Sequence, residues 1–237
     1  MLRTDRTKVF NFENATYGMR NPLESWSKID SYYEDENFIL GENDLRLAMK
    51  LRNAGTDHRK FLRQIFVSVD ITAPIYWWKE FDTYKVGTVA NSTSTMHKLS
   101  SRDLTINDLS VDHCNLKSLE CLKNLINVFN EIRREYVETK NKEDWYSLIQ
   151  LLPSSFNQTR TVTLNYENLI NIYYARKNHK LDEWHTFCDW IKELPYANEL
   201  IIGIKPKEID LIKMVEDKKH IQKTTQTPII SLKERTM

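Results

Sequence analysis

The sequence has few of the residues on which several common sites and topologies depend. Only three cysteines (Cys114, Cys121 and Cys188) and five glycines occur in 237 residues. So few cysteines, and an odd number of them, argue against a disulfide framework, and we expect free thiols in a reducing compartment. The glycines form neither a G-x-G-x-x-G pattern nor a P-loop, which excludes the common dinucleotide- and phosphate-binding loops.

The sequence also lacks long apolar runs, an excess of one charge, and residues at the spacing of metal ligands. No window approaches about 18 consecutive apolar residues, so no membrane-spanning helix is predicted, and no signal peptide is expected after Met1. The 34 basic and 33 acidic residues nearly cancel, which argues against a broad surface for nucleic acid or acidic membrane. His185 and Cys188 have no second ligand pair, so no metal site is predicted. We predict a cytoplasmic protein. If it binds an anionic ligand, a local group of residues and not a broad charged surface must hold that ligand.

What the sequence does contain is ample apolar material for a core. Hydrophobic residues make up 41% and aromatic residues 11% of the chain, which suits one large domain or two small ones. We divide the chain into an N-terminal strand with an irregular covering segment (1–41), a main domain (42–204) and a polar C-terminal tail (205–237). Within the tail, Ile209, Ile212 and Val215 have the spacing of one short helix.

The periodicity of apolar residues predicts a mixed α/β (α+β) fold. The surest element is residues 116–139, an amphipathic helix with apolar residues at helical spacing. Residues 87–100 are predicted to be a loop rich in serine and threonine. Further helices are predicted for 42–53 (with Asn43 as a possible N-cap), 143–152, 165–176 and 182–194, and strands for 9–12, 67–71 and 160–164.

One segment fits an enzyme signature in its spacing but not in its chemistry. Residues 73–85 contain an Ala-Pro step and lead into Val86-Gly87-Thr88 and then into residues 91–96. This segment resembles the flavin-dependent thymidylate synthase family, in which a buried strand runs into R-H-R-x-x-S-x-x-x-x-S-x-R. On that pattern Thr83, Tyr84 and Lys85 replace the Arg-His-Arg. Thr88 and Thr93 replace the two serines, and Thr95 replaces the last arginine.

A second segment matches the same family in the expected order along the chain. Leu152-Pro153, Asn165 and Arg176 fit L-P-x11-N-x10-R, and Thr163-Leu164-Asn165 fits the family's Thr-x-Asn step. Residues 182–184, Asp-Glu-Trp, fall where the family carries Ala-Gln-Trp-Glu. The resemblance extends over about residues 40–200 and implies the fold of that family.

The resemblance also implies a function, which the substitutions alter. It implies a homotetramer with active sites between subunits, where FAD takes hydride from a nicotinamide cofactor and deoxyuridylate receives a folate-borne carbon. Arginines hold the ligand phosphates in such sites, yet Lys85 is the only cation left in the first motif. Ile149 stands where the family has another arginine, and Glu167 adds negative charge. Because each lost charged hydrogen bond costs about 1.5–3 kcal/mol, ordinary deoxyuridylate binding is not expected.

Ten residues are candidates for binding a nucleotide or cofactor, and each has a structural alternative. Asn165 could simply cap a helix, Arg176 could pair with Asp182 or Glu183, Arg63 could be a surface charge, and the hydroxyl-rich loop could cap its own backbone. No catalytic residue is assigned. The candidates are Arg63, Thr83, Tyr84, Lys85, Thr88, Asn91, Thr93, Thr95, Asn165 and Arg176.

Two functional hypotheses follow from these residues. The first is a divergent member that binds a nucleotide or dinucleotide at subunit interfaces without thymidylate synthesis, as in a phage-type protein that captures a nucleotide. The second is a working FAD-dependent thymidylate synthase-type enzyme with altered phosphate contacts. The missing Arg-His-Arg favours the first. A purely structural oligomer is a third possibility.

Overall fold

The computed structural model describes residues 1–204, in which helices cover one face of a four-stranded antiparallel sheet. The predicted tail, residues 205–237, lies outside the described residues. None of the described helices has the length and apolar character needed to cross a bilayer. The strands are β1 (Arg3–Phe10), β2 (Tyr32–Glu34), β3 (Asn37–Ile39), β4 (Phe66–Pro74), β5 (Val89–Ser92) and β6 (Asn157–Asn165). The helices are α1 (Phe12–Gly18), α2 (Glu42–Asn53), α3 (Ile75–Phe81), α4 (Thr95–Lys98), α5 (Leu116–Thr139), α6 (Lys142–Gln150), α7 (Tyr166–Arg176) and α8 (Asp182–Lys192), followed by a π-helical turn, Ala197–Ile202.

The main sheet has the strand order β1-β4-β6-β5, and every neighbouring pair is antiparallel. Strand β4 pairs with β6 along its whole length, from Phe66 opposite Asn165 to Pro74 opposite Asn157. Alternate residues of β4 are buried, so one face of the sheet belongs to the core. The other face is open and carries a row of hydroxyl side chains. These are Ser68, Thr72, Thr159, Thr161 and Thr163.

Aromatic side chains from α3 and α8 form the centre of the core. The rings of Trp77 and Trp184 are 4.7 Å apart between centroids, and those of Trp77 and Phe81 are 5.1 Å apart. Trp77, Trp78 and Trp184 have no exposed surface. Since complete burial of a large apolar side chain contributes about 1.5–3 kcal/mol, these rings fix the position of α3 and α8 against the sheet.

Helix α5 coincides with the predicted helix 116–139 and forms a second, smaller core. Phe129 and Ile126 pack with Leu148 of α6 and with Leu104 and Leu109 of the preceding segment. The helix is amphipathic because these apolar residues recur on one face. Its start is capped by the side chain of Asn115, which accepts a hydrogen bond from the Ser118 N–H at 2.9 Å.

Two strands of the main sheet differ from the sequence prediction, and the hairpin of β2 and β3 lies within the segment that was predicted to be irregular. The predicted strand 9–12 is wrong in its bounds, because β1 spans Arg3–Phe10 and the left-handed Asn11 (φ 72°) starts α1. The predicted loop 87–100 contains β5 and α4. Both strands lie at edges of the sheet and most of their side chains are exposed, so they lack the burial pattern that marks a strand in sequence.

Helix α2 is capped by a residue far from its own start. Its N-cap position is Gly41, not the predicted Asn43, and a Cβ at Gly41 would collide with Asp30. The Asp30 carboxylate accepts hydrogen bonds from the N–H of Asn43 at 2.7 Å and of Asp44 at 3.0 Å. Partial burial would raise the pKa of Asp30, but these hydrogen bonds outweigh it and lower the pKa.

We expect Asp30→Ala to reduce the free energy of unfolding by about 1 kcal/mol, as loss of a helix cap does. Urea denaturation measures this, with Asn43→Ala as the matched control that keeps its backbone N–H. A lowered folded-state pKa stabilises the protein above the unfolded value of about 3.9. The difference between wild type and Asp30→Ala should therefore shrink as pH falls below about 4. An equal loss in the Asn43→Ala variant would contradict this assignment.

Candidate functional site

The two sequence motifs meet along helix α7. The Tyr84 hydroxyl accepts a hydrogen bond from Arg176 Nε at 2.8 Å, at the end of α7. At its start, Asn168 Nδ2 donates to the carbonyl of Val86 at 2.6 Å. Gly87 has a φ of 71°, and a Cβ there would lie 3.0 Å from Asn165 Nδ2. The loop 82–88 therefore runs along α7, and glycine is required where it passes the helix start.

Arg176 is held in a network of protein contacts. Its Nη1 lies 2.7 Å from Glu80 Oε2, and its guanidinium lies 4.6 Å from the centroid of the Trp184 ring. Glu80 Oε2 also accepts from Trp184 Nε1 at 2.9 Å and lies 3.3 Å from His179 Nε2. The charge of Arg176 is thus neutralised by Glu80, and the arginine braces α3, α7 and α8 together.

The partners expected for Arg176 from sequence are engaged elsewhere. Glu183 accepts a hydrogen bond from the Tyr76 hydroxyl; burial and this bond raise the pKa of Tyr76. Asp182 lies 3.2 Å from His113 Nε2 and 3.3 Å from His185 Nδ1. Sequence spacing favoured near neighbours of Arg176, whereas the observed partner, Glu80, is 96 residues away.

Asn165 is the N-cap of α7. Its side chain accepts from the Asn168 N–H at 3.0 Å, and the Asn168 side chain accepts from the Asn165 N–H at 3.2 Å. Glu167 is also engaged, by Arg59 Nε at 2.8 Å. At the same helix end, the hydroxyl of Thr88 is buried and has no hydrogen-bond partner among residues 1–204. Apart from Thr88, these groups are occupied by contacts that shape the fold.

Four other candidates lie outside this network or at its rim. Lys85 is exposed, and Thr83 Oγ1 donates to the carbonyl of Glu80 at 2.7 Å. Arg63 is exposed in the 3-10 turn Lys60–Gln64, which precedes β4. Asn91 stands on the open face of the sheet, opposite Thr161. The structure does not gather these four into one group.

The last two candidates, Thr93 and Thr95, line a cleft of about 650 Å³ between the open face of the sheet, α4 and the segment 99–112. The Thr93 N–H donates to the carbonyl of Thr159 at 2.9 Å, and Gln158 Nε2 donates to the carbonyl of Thr93 at 2.9 Å. These bonds tie the loop before α4 to β6. Three aspartates, Asp103, Asp108 and Asp112, also line the cleft. The hydroxyl, amide and cationic lining residues that were not among the sequence candidates are Arg3, Thr72, Ser94, Lys98, Ser101, Arg102, Asn107, Asn157 and Thr159.

A periodic signal could have found part of this cleft. Threonine occurs at every second position from Thr159 to Thr163, as expected for one polar face of a strand. The cationic side chains of the cleft have no such signal, because they come from β1, from α4 and from the segment after α4. Another cleft, of about 910 Å³, lies beside α2 and contains none of the ten candidates.

Solved structures share this fold, although no protein-family model and no curated protein matches the sequence. The crystal structure of thymidylate synthase X (ThyX) from Helicobacter pylori with FAD and dUMP matches with a TM-score of 0.61 at 16% identity, over 85% of this chain and 97% of that chain. The UMP/dUMP methylase PolB from Streptomyces cacaoi, bound with 5-Br dUMP, matches with a TM-score of 0.58 at 12% identity, over 86% of this chain and 94% of that chain.

The fold is that of the flavin-dependent thymidylate synthases. The predicted α+β class is therefore confirmed, and the two short motifs did indicate the right fold. Identities of 12% and 16% establish the architecture alone.

We expect Arg176→Ala to lower the free energy of unfolding by about 1–3 kcal/mol, because Glu80 loses a charged partner. Lys85→Ala, in the same loop–helix region but exposed, should change it by less than about 0.5 kcal/mol. Urea unfolding followed by tryptophan fluorescence compares the two variants. An unchanged stability for Arg176→Ala would show that Arg176 does not brace the helices and would return it to the list of ligand-binding residues.

Proposed function

We propose that this protein binds a nucleotide in the cleft beside α4 and does not synthesise thymidylate. The observation that carries the proposal is the place of the cleft in the fold. The segment aligned with the second half of the first motif, including Thr93 and Thr95, forms one of its walls. Its volume of about 650 Å³ suits a small-molecule ligand, since such sites span roughly 300–1,000 Å³.

Neutral hydroxyl groups form a large part of the polar lining of this cleft. Thr72 Oγ1 and Thr159 Oγ1 are 2.8 Å apart on neighbouring strands, and Ser94 and Thr95 face them from the loop and α4. Hydroxyls both donate and accept hydrogen bonds, as the ribose and base of a nucleotide require. This lining supports binding of the sugar and base, and the phosphate needs further groups.

The absence of thymidylate synthesis is proposed from the contacts of the first motif. Tyr84, in the place of the family's histidine, is bonded to Arg176 and packed near Trp184. Thr83 is bonded to its own helix end. Neither side chain offers the planar charged fork that holds phosphate in a bidentate manner. Phage-type capture of a nucleotide remains the biological setting that we propose by analogy.

A FAD-dependent enzyme is the second candidate function. The structure of the H. pylori protein with FAD and dUMP favours it. The residues of the loop–α7 region do not fit the diphosphate of FAD, because Arg176 is neutralised by Glu80 and Lys85 is the only cation in loop 82–88. Flavin absorbance of the purified protein, together with restored growth of a thymidine-requiring bacterium, would favour this candidate over the first.

We expect Thr159→Val to weaken binding of dUMP by about 2- to 10-fold, the effect of one neutral hydrogen bond. Isothermal titration calorimetry of the full chain measures this. Thr163→Val is the matched control, since Thr163 lies on the same face of β6 but outside the cleft. Equal effects of the two variants would contradict the cleft as the binding site. No binding of dUMP by wild type would contradict the proposed function, because the cleft would then not replace the phosphate contacts that the first motif lacks.

We also propose a homotetramer, as the resemblance implies. Exposed apolar side chains support an association surface, because Phe10 and Phe66 stand side by side on the open face of the sheet at 46% and 41% exposure. Light scattering at micromolar concentration should report a tetramer. Phe66→Asp should shift the molecular mass downward, whereas Tyr146→Asp, at an exposed aromatic residue on α6, should not. A monomeric wild type would contradict this proposal.

A further inference from the structure

The cations that the motifs supply do not reach the cleft beside α4. Arg176 is bound to Glu80 at 2.7 Å, and neither Lys85 nor Arg63 lines the cleft. The cationic side chains that line it are Arg3 of β1, Lys98 at the end of α4, and Arg102 in the segment that follows; the amino group of Met1 also lines it and is paired with Asp112 at 2.7 Å. The side-chain charge available to a phosphate in this cleft therefore comes from these three residues.

The carboxylates of the cleft are already neutralised. Asp103 lies 2.7 Å from Arg133 Nε, and Asp112 lies 2.7 Å from the amino group of Met1. Arg102 Nη1 donates to Asp108 at 2.8 Å, and this pairing lowers the pKa of Asp108. The acidic residues therefore repel an anion only weakly, and Arg102 is already committed to a partner.

The positive charges of Arg3 and Lys98 are available to a ligand. Among residues 1–204, Arg3 forms an ion pair only with Asp5, at 3.3 Å from Nε, and both side chains are largely exposed, so this pair contributes little. Lys98 is exposed and forms no ion pair with any residue in the described range 1–204. In the register of β1 and β4, Arg3 stands opposite Thr72 on the open face of the sheet. Lys98 lines the cleft from α4, so the two cations flank the threonine hydroxyl groups from different walls.

We propose that Arg3 and Lys98 hold the phosphate monoester of the nucleotide, in place of the arginines that the first motif lacks. The proposal rests on the proposed function, since it assigns the charged end of the same ligand. A phosphate monoester carries a charge of about −1.5 to −2 at neutral pH, which two cations balance. Arginine supplies a planar fork and lysine a point charge. The cleft then selects phosphorylated nucleosides over unphosphorylated ones.

Calorimetry of the full chain with dUMP, deoxyuridine and inorganic phosphate tests the proposal. Arg3→Gln and Lys98→Gln should each weaken dUMP binding about tenfold and leave deoxyuridine binding unchanged. The matched controls, Arg63→Gln and Lys85→Gln, remove exposed cations outside the cleft and should leave both affinities unchanged. Thermal unfolding should be the same for all four variants, because each side chain is exposed. Raising the salt concentration should weaken dUMP binding to wild type more than to the Arg3→Gln, Lys98→Gln double variant.

Each other outcome overturns the proposal in an identifiable way. If wild type binds dUMP and neither cleft variant weakens it, the phosphate assignment fails and the proposed function stands. Equal losses for dUMP and deoxyuridine would show a structural role for the two cations. If inorganic phosphate binds as tightly as dUMP, the bound phosphate need not belong to a nucleotide, and this would overturn the proposal. If wild type binds neither dUMP nor deoxyuridine, both the proposed function and this inference fail.

Discussion

The pairing of β4 with β6 is the constraint on which the rest of the structure depends. One face of both strands is apolar, so a slip by one residue would expose Val67, Val69 and their neighbours. The fixed register places Pro74 opposite Asn157 and Phe66 opposite Asn165. Helices α3 and α7 therefore start at opposite ends of the strand pair, and loop 82–88 comes to run along α7. The two sequence motifs meet because of this geometry.

The meeting of the motifs produces a brace in this protein. Glu80 and Tyr84 come from the first motif region, Arg176 ends the second, and Trp184 closes the group from α8. Each polar group in this set has a partner within the set. An arginine surrounded in this way stabilises the packing of three helices, and a ligand would have to compete with Glu80 for it. The contacts that maintain this fold therefore engage Arg176, a residue of the second motif, within the protein itself.

The proposed binding cleft lies on the other side of the sheet. The covered face carries the aromatic core, while the open face carries hydroxyl groups and leads into the cleft beside α4. Within this cleft the acidic residues are paired, and two cations keep their charge available. The arrangement suits recognition of a polar, phosphorylated molecule by hydrogen bonds and a local positive field. It contains no residue that we assign to catalysis.

Local patterns in the sequence predicted helices α2, α5, α6, α7 and α8 and the central strands β4 and β6, but not α1 or α4. The helix 116–139 follows from apolar residues at helical spacing, and the buried strands follow from alternation, because both patterns depend on neighbours close in the chain. The edge strands were missed or misplaced, since an exposed polar strand carries no such alternation. Tertiary structure alone decided the partner of Arg176, the cap of α2 by Asp30, and the convergence of Arg3 and Lys98 on one cleft. Each of these joins residues distant in sequence, and only the register of the sheet and the packing of the helices bring them together.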